Sequence, residues 1–119
     1  MTKLQIVILL AVAALLAGGQ SLFKATALAL RRDGQSVANP LALAGLPSFW
    51  AALALYGCGT LLWIYILQTV PLNRAYPFIA LSFVIVPVLA ALLFGERPTA
   101  AIAFGALLIV AGVLVSSRA

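Results

Sequence analysis

Apolar positions run almost unbroken through four stretches, about residues 4–30, 48–69, 74–94 and 98–115, and polar residues collect in the gaps between them. A hydrocarbon core of ~30 Å is crossed by about 20 helical residues at 1.5 Å each. Each stretch is therefore predicted to be a transmembrane helix. The expected fold class is an all-α membrane protein with four spans in a single domain, 1–119.

The third stretch organises the rest. It follows the turn former Pro71, sets Arg74 and Tyr76 at the helix entrance, and then runs apolar to Phe94. Pro77 is expected in the first turn, where a missing N–H is harmless. Pro87 falls mid-run, and a kink is expected near it because it removes a backbone hydrogen bond and crowds the preceding turn. Membrane helices tolerate prolines, so two readings stand together: a neutral feature, or a bend that lets one end of the helix move against the other.

Behind Lys3 the first stretch imitates a signal peptide, with small residues at Ala17, Gly18 and Gly19, but its apolar run continues past any such cleavage site and is read as span one. Ala13, Ala17, Gln20 and Lys24 share a face at helical spacing. A lysine at a helix centre costs roughly 2.5–3.5 kcal/mol on insertion scales. Lys24 either snorkels to the headgroups or faces an anionic group along a path that Gln20 also lines.

Residues 31–40 form the one properly polar loop, and 41–46 are expected to be an interfacial turn before Pro47. In span two, Tyr56, Thr60, Trp63 and Leu67 share a face. Aromatics near span ends form interface belts, but Tyr56 and Trp63 lie deeper and are expected to line a cavity. Residues 70–73 leave room only for a tight turn, making spans two and three antiparallel neighbours. The turn Gly95-Glu96-Arg97-Pro98 is equally tight, with Pro98 expected in the first turn of span four. There Gly105 and Gly112 form a stripe with Ala101 and Leu108 that permits close helix approach. That stripe serves either intrachain packing or a subunit interface; the second is favoured because four helices alone make a poor transport path.

Composition narrows the function classes. The chain is 66% hydrophobic and 8% charged, against about a quarter charged in soluble domains, so no soluble domain or linker is expected. The net charge of +5 does not indicate nucleic acid, because the basic residues are scattered at Lys3, Lys24, Arg31, Arg32, Arg74, Arg97 and Arg118. They sit mostly at span ends, as membrane topology requires. One cysteine and no histidine exclude an internal disulfide and a Cys/His metal cluster; Cys58 is assigned to core packing. With no nucleophile–base pair, no carboxylate pair and no metal constellation, neither catalysis nor a cofactor is expected.

Four spans put Lys3, Arg74 and Arg118 on one side of the membrane and Arg31, Arg32 and Arg97 on the other. The positive-inside rule gives this balance little direction, so weak or dual orientation is expected. An antiparallel pair would form the inverted-repeat arrangement that alternates access about a midplane site. It would also bring Lys24 of one subunit to the membrane side of its partner's Arg74.

Gly19 and Lys24 in span one, Ala75-Tyr76 opening span three, and Gly105-x-x-Leu108-Ile109-x-x-Gly112-Val113 in span four resemble the small multidrug resistance family. This implies an antiparallel dimer held through Gly105, Leu108, Ile109, Gly112 and Val113. The family's proton-coupled substrate site depends on a span-one glutamate. Alignment on Gly19 and Lys24 puts Leu16 there, and span one has no acidic residue.

A second resemblance covers more of the chain. Gly19-Gln20-x-x-x-Lys24, Trp63-x-x-x-Leu67-Gln68-x-Val70-Pro71-x-x-x-Ala75-Tyr76-Pro77, and Phe83-Val84-x-Val86 followed by Glu96 are similar to the small subunits of the 4-amino-4-deoxy-arabinose phosphoundecaprenol flippase. These belong to the wider drug/metabolite transporter superfamily. The resemblance implies paired small subunits, as a homodimer or with a paralogue, moving a polyprenyl-phosphate-linked sugar across the inner membrane. It assigns Lys24 and Arg74 to the lipid phosphate, and Gln20, Tyr56, Trp63 and Tyr76 to the headgroup path.

Charge agrees with that assignment. Intramembrane cations suit an anionic phosphate, and charge-assisted bonds to phosphate are strong ones; an exporter of organic cations wants a carboxylate. Asp33 and Glu96 lie at span ends, Glu96 as a helix-end residue or a partner for Lys24 or Arg97. Two alternatives remain: a divergent exporter of cationic compounds, and a non-transporting accessory subunit of a larger transporter.

Overall fold

The computed structural model describes residues 2–118. It is an all-α bundle built from α1 (Lys3–Arg32), α2 (Pro40–Ala44), α3 (Pro47–Leu67), α4 (Leu72–Ile79), α5 (Ser82–Phe94) and α6 (Ala100–Ser116). Three segments are long and apolar enough to cross a membrane, namely α1, α3 and the α4–α5 unit Leu72–Phe94. At 17 residues, α6 is apolar but shorter, about 25 Å at 1.5 Å per residue.

The α1–α3 pair is the backbone of the bundle. A reciprocal capping box starts α1: Thr2 Oγ1 accepts from the Gln5 N–H, and Gln5 Oε1 accepts from the Thr2 N–H. The helices then meet through small residues, with Ala13, Ala17 and Ala52 fully buried. A Cβ on Gly19 would lie 2.9 Å from Tyr56 Cδ2, so only glycine lets the tyrosine ring lie flat against α1 there. Farther along, Thr26 Oγ1 donates to Leu22 O and shares a 2.7 Å hydrogen bond with Ser48 Oγ, which satisfies the buried hydroxyl.

At the other end of the pair, Leu9, Ile66, Val70, Ala75 and Phe78 form a compact core. It clamps the α3–α4 turn onto the start of α1, aided by a hydrogen bond from Gln5 Nε2 to Thr69 Oγ1 (3.2 Å). Beyond this core burial falls away, and α5 has no buried residue. Apolar side chains such as Phe83, Val88 and Leu92 project outward, as suits a lipid-facing surface.

Several expectations change. Residues 41–46 are largely the short helix α2, capped by Asn39. Pro77 is not in the first turn, since α4 begins five residues earlier at Leu72. The break in the third segment lies at Ala80–Leu81, while Pro87 sits inside α5. There the hydrogen bonds tighten to three-residue spacing, from Ala80 N–H to Pro77 O and from Val84 N–H to Leu81 O. A proline acts on the turn before it, because its ring crowds the carbonyl four residues back; here that is Phe83, directly beside the tight turn. Pro98 precedes α6 and does not open it, because Thr99 Oγ1 accepts from the Ile102 N–H as the cap. Cys58 is exposed, not packed in the core: on α3 the buried positions are Ala52, Gly59 and Ile66.

Candidate functional site

Two adjoining hollows lie along α1. The first, of about 190 Å³, is lined by Leu16, Tyr56, Gly59, Thr60, Trp63, Tyr76 and Ile79. Helical spacing on α3 brings Tyr56 and Trp63 to this wall, and the α4 start supplies Tyr76. The Trp63 and Tyr76 rings meet edge to face at 6.4 Å between centroids. Three expected headgroup-path residues thus share one cavity, and Leu16 lies in its wall.

The second hollow, about 240 Å³, runs between α1 and α5 and is lined by Gln20, Ser21, Lys24, Val86, Ala90, Phe94 and Glu96. Lys24 Nζ stands 3.9 Å from Glu96 Oε2, with both side chains about half exposed at 46% and 51%. Exposed pairs of this kind add little net stability, since ordering two long side chains offsets the Coulomb gain. The pair can therefore open without endangering the fold. Gln20 connects the hollows: its Nε2 donates to Tyr56 Oη at 3.3 Å while its side chain also lines the cleft.

Arg74 is not brought to Lys24. It is exposed in the first turn of α4, which the Gln5–Thr69 contact ties to the beginning of α1. Lys24 stands nineteen positions beyond Gln5 on α1, about 28 Å along the axis. Within one protomer the two cations occupy opposite ends of the bundle.

On α6 a Cβ at Gly105 or Gly112 would meet nothing within 4 Å, and Leu108 is exposed. Ile109 is half-buried. Val113 departs from the expected open stripe: it is buried inside the chain, 7% exposed, because it lies about a quarter turn round the helix from the glycine edge.

Two features of this region were not assigned to the site from sequence. Glu96 forms a wall of the Lys24 cleft, and a wider hollow of about 620 Å³ is lined by Ala25, Leu28, Arg31, Arg32 and Phe94. A signal for the latter existed, because Gln20, Lys24 and Arg31 follow one helical face at four- and seven-residue steps. In the sequence alone the two arginines signal only membrane topology.

A family model described as the EamA-like transporter family matches residues 1–118. The chain belongs to this family. Membership makes it a multi-pass membrane protein with a transport-related role instead of a catalytic one. Among curated relatives, the probable 4-amino-4-deoxy-L-arabinose-phosphoundecaprenol flippase subunit ArnE of Aeromonas hydrophila subsp. hydrophila is 37% identical over 98 residues, covering 79% of this chain and 80% of the relative. The proteins of the same description from Pseudomonas fluorescens (strain Pf0-1) and Enterobacter sp. (strain 638) are 40% and 38% identical. In those two the match spans 56% of this chain and only 59% and 64% of the relatives' own lengths. No solved structure matches the chain.

Proposed function

We propose that this chain is a four-span inner-membrane flippase subunit that moves a polyprenyl-phosphate-linked sugar between leaflets as an antiparallel pair, with itself or with a paralogue. The observation that carries this is the charge of the hollows. Lys24 lines a cleft with Gln20, Ser21 and Glu96, Arg31 and Arg32 line the hollow that shares Phe94 with it, and no Asp or Glu occurs within any of the helices, so the two hollows together are net cationic. A cation in an apolar wall attracts a phosphate and repels an organic cation. The likeness to relatives described as flippase subunits for a phosphoundecaprenol-linked sugar supports the same cargo class.

In this scheme Lys24 takes the phosphate and Gln20, Tyr56, Trp63 and Tyr76 guide the sugar. Arg74 of the inverted partner contributes from the same membrane side. Gly105, Leu108 and Gly112 form the subunit contact, with Ile109 at its edge. Packing a second subunit there would cover the open face of the short α6, and an inverted pair suits the balanced distribution of cations.

The test is native mass spectrometry of detergent-purified protein offered a polyprenyl phosphate and, separately, a quaternary ammonium cation. A dimer that retains the phosphate lipid selectively is the expected result; selective retention of the cation would overturn the proposal. One feature favours that second outcome: the cavity of Tyr56, Trp63 and Tyr76 presents aromatic faces of the kind that attract cations. A monomer retaining neither ligand would favour an accessory subunit awaiting a partner.

A further inference from the structure

A cleft that served only to hold a phosphate would be better without a carboxylate, which both neutralises the lysine and repels the anion. Glu96 nevertheless stands in the Lys24 cleft, 3.9 Å from the ammonium group. The backbone holds it there. Gly95 ends α5 in the left-handed region at φ 69, a conformation glycine adopts readily, and the Glu96 N–H closes the turn onto Ala90 O at 3.2 Å. The remaining lining is divided by character, with Gln20 and Ser21 on the α1 side and Val86, Ala90 and Phe94 on the α5 side.

One positive and one negative group, half exposed and facing the same 240 Å³ space, complement a ligand that itself carries both charges. We infer that Glu96 is the specificity residue of this cleft: its carboxylate receives the protonated amine of an amino-sugar headgroup, of the kind the relatives are described as flipping, and so discriminates against neutral-sugar cargo. On binding, the Lys24–Glu96 pair opens. The phosphate takes the Lys24 ammonium, the ligand's ammonium takes the Glu96 carboxylate, and an apolar face of the sugar ring rests on Phe94. Each of the two half-exposed charges thereby exchanges one partner for another, and the cleft stays neutral overall. This inference rests on the flippase proposal and assigns the residue that reads the headgroup amine. If Glu96 were only a counterion for Lys24, removing its charge would strengthen the binding of every phosphate lipid alike.

Native mass spectrometry of the full chain separates the cases with three probes: undecaprenyl phosphate, its 4-amino-4-deoxy-arabinosyl ester, and that ester N-acetylated so that the amine is uncharged. The wild type is expected to prefer the free-amine ester over the acetylated one by about tenfold, the scale of one charge-assisted bond. Glu96→Gln should bind both esters to within about twofold while still retaining undecaprenyl phosphate, which also reports that it is folded. Glu96→Asp, which keeps the charge, should keep the preference and serves as the deciding variant if Glu96→Gln proves unstable. Equal binding of the two esters by the wild type, persistence of the preference in Glu96→Gln, or its loss in Glu96→Asp overturns the inference and leaves the flippase proposal standing. A wild type that retains none of the three lipids overturns both.

Discussion

Leu16 is packed against Gly59, its Cδ2 only 3.1 Å from where a Cβ on that glycine would stand. The contact closes the α1–α3 interface and makes Leu16 part of the wall of the aromatic cavity. The small multidrug resistance pattern calls for a glutamate at this position. Here an aliphatic side chain takes that position in the wall, and the charged groups lie beyond Gln20 at Lys24 and Glu96.

Leu16→Glu tests whether this one position separates the two kinds of cargo. The carboxylate would face Tyr56, Trp63 and Tyr76, a setting in which a quaternary ammonium ion gains both an ion pair and aromatic faces. We expect the variant to acquire retention of a quaternary ammonium cation in native mass spectrometry. It should also melt at lower temperature in detergent, because a partly buried carboxylate lacks a partner. No gain in cation binding would mean that more than this residue separates the two chemistries.

Gly19 and Gly57 predict opposite outcomes for the same substitution. An added Cβ at Gly19 would strike Tyr56 Cδ2 at 2.9 Å, whereas one at Gly57 would meet nothing within 4 Å. Gly19→Ala should destabilise by about 1–3 kcal/mol through overpacking. Gly57→Ala should be neutral or gain about 0.5–1 kcal/mol by relieving the backbone entropy of a helical glycine. Thermal unfolding in one detergent measures both. In a Tyr56→Ala background the Gly19→Ala penalty should shrink, which would identify the ring as its cause.

How far the sequence could be read depended on whether the signal was length or facing. Apolar length located α1 and α3 to within a few residues, and the polar turn at Gly95 located the end of α5. Facing was poorly legible, because a helix apolar on all sides carries no amphipathic stripe. Cys58, expected in the core, is exposed, and Val113, which the small multidrug resistance resemblance puts at the subunit contact, is buried within the chain; the spacing of Tyr56 and Trp63 along α3 puts both in one cavity wall, which Tyr76 joins from α4. The break at Ala80–Leu81 was displaced from Pro87 because the disturbance falls on the preceding turn. From sequence Glu96 can pair with Lys24 or Arg97; choosing between them requires knowing where α5 ends over α1, which is a property of packing.

Gly112→Leu addresses association separately from folding. Gly112 is exposed and its missing Cβ faces open space, so the protomer can accept a leucine without internal strain. If the glycine edge of α6 is the subunit contact, the larger side chain should convert dimers to monomers in native mass spectrometry while far-ultraviolet circular dichroism stays unchanged. Dimers that persist at wild-type abundance would move the interface elsewhere.

Mixed dimers can reveal the orientation of the pair, because Lys24 and Arg74 lie at opposite ends of each protomer. In an antiparallel dimer, each membrane face holds Lys24 from one subunit and Arg74 from the other. Pairing a Lys24→Ala subunit with an Arg74→Ala subunit then strips one face of both cations and leaves the other intact. Such a mixed dimer should bind a polyprenyl phosphate with wild-type affinity at half the stoichiometry. Each single-variant homodimer keeps only one cation per face and should bind about tenfold or more weakly, the loss of one charge-assisted contact. A parallel dimer has no intact face in the mixed pairing, since Lys24 from both subunits lies on one side and Arg74 from both on the other. Uniformly weakened binding in the mixed dimer would thus exclude the antiparallel arrangement, and a single full-affinity site would support it without relying on reporter fusions that themselves bias insertion.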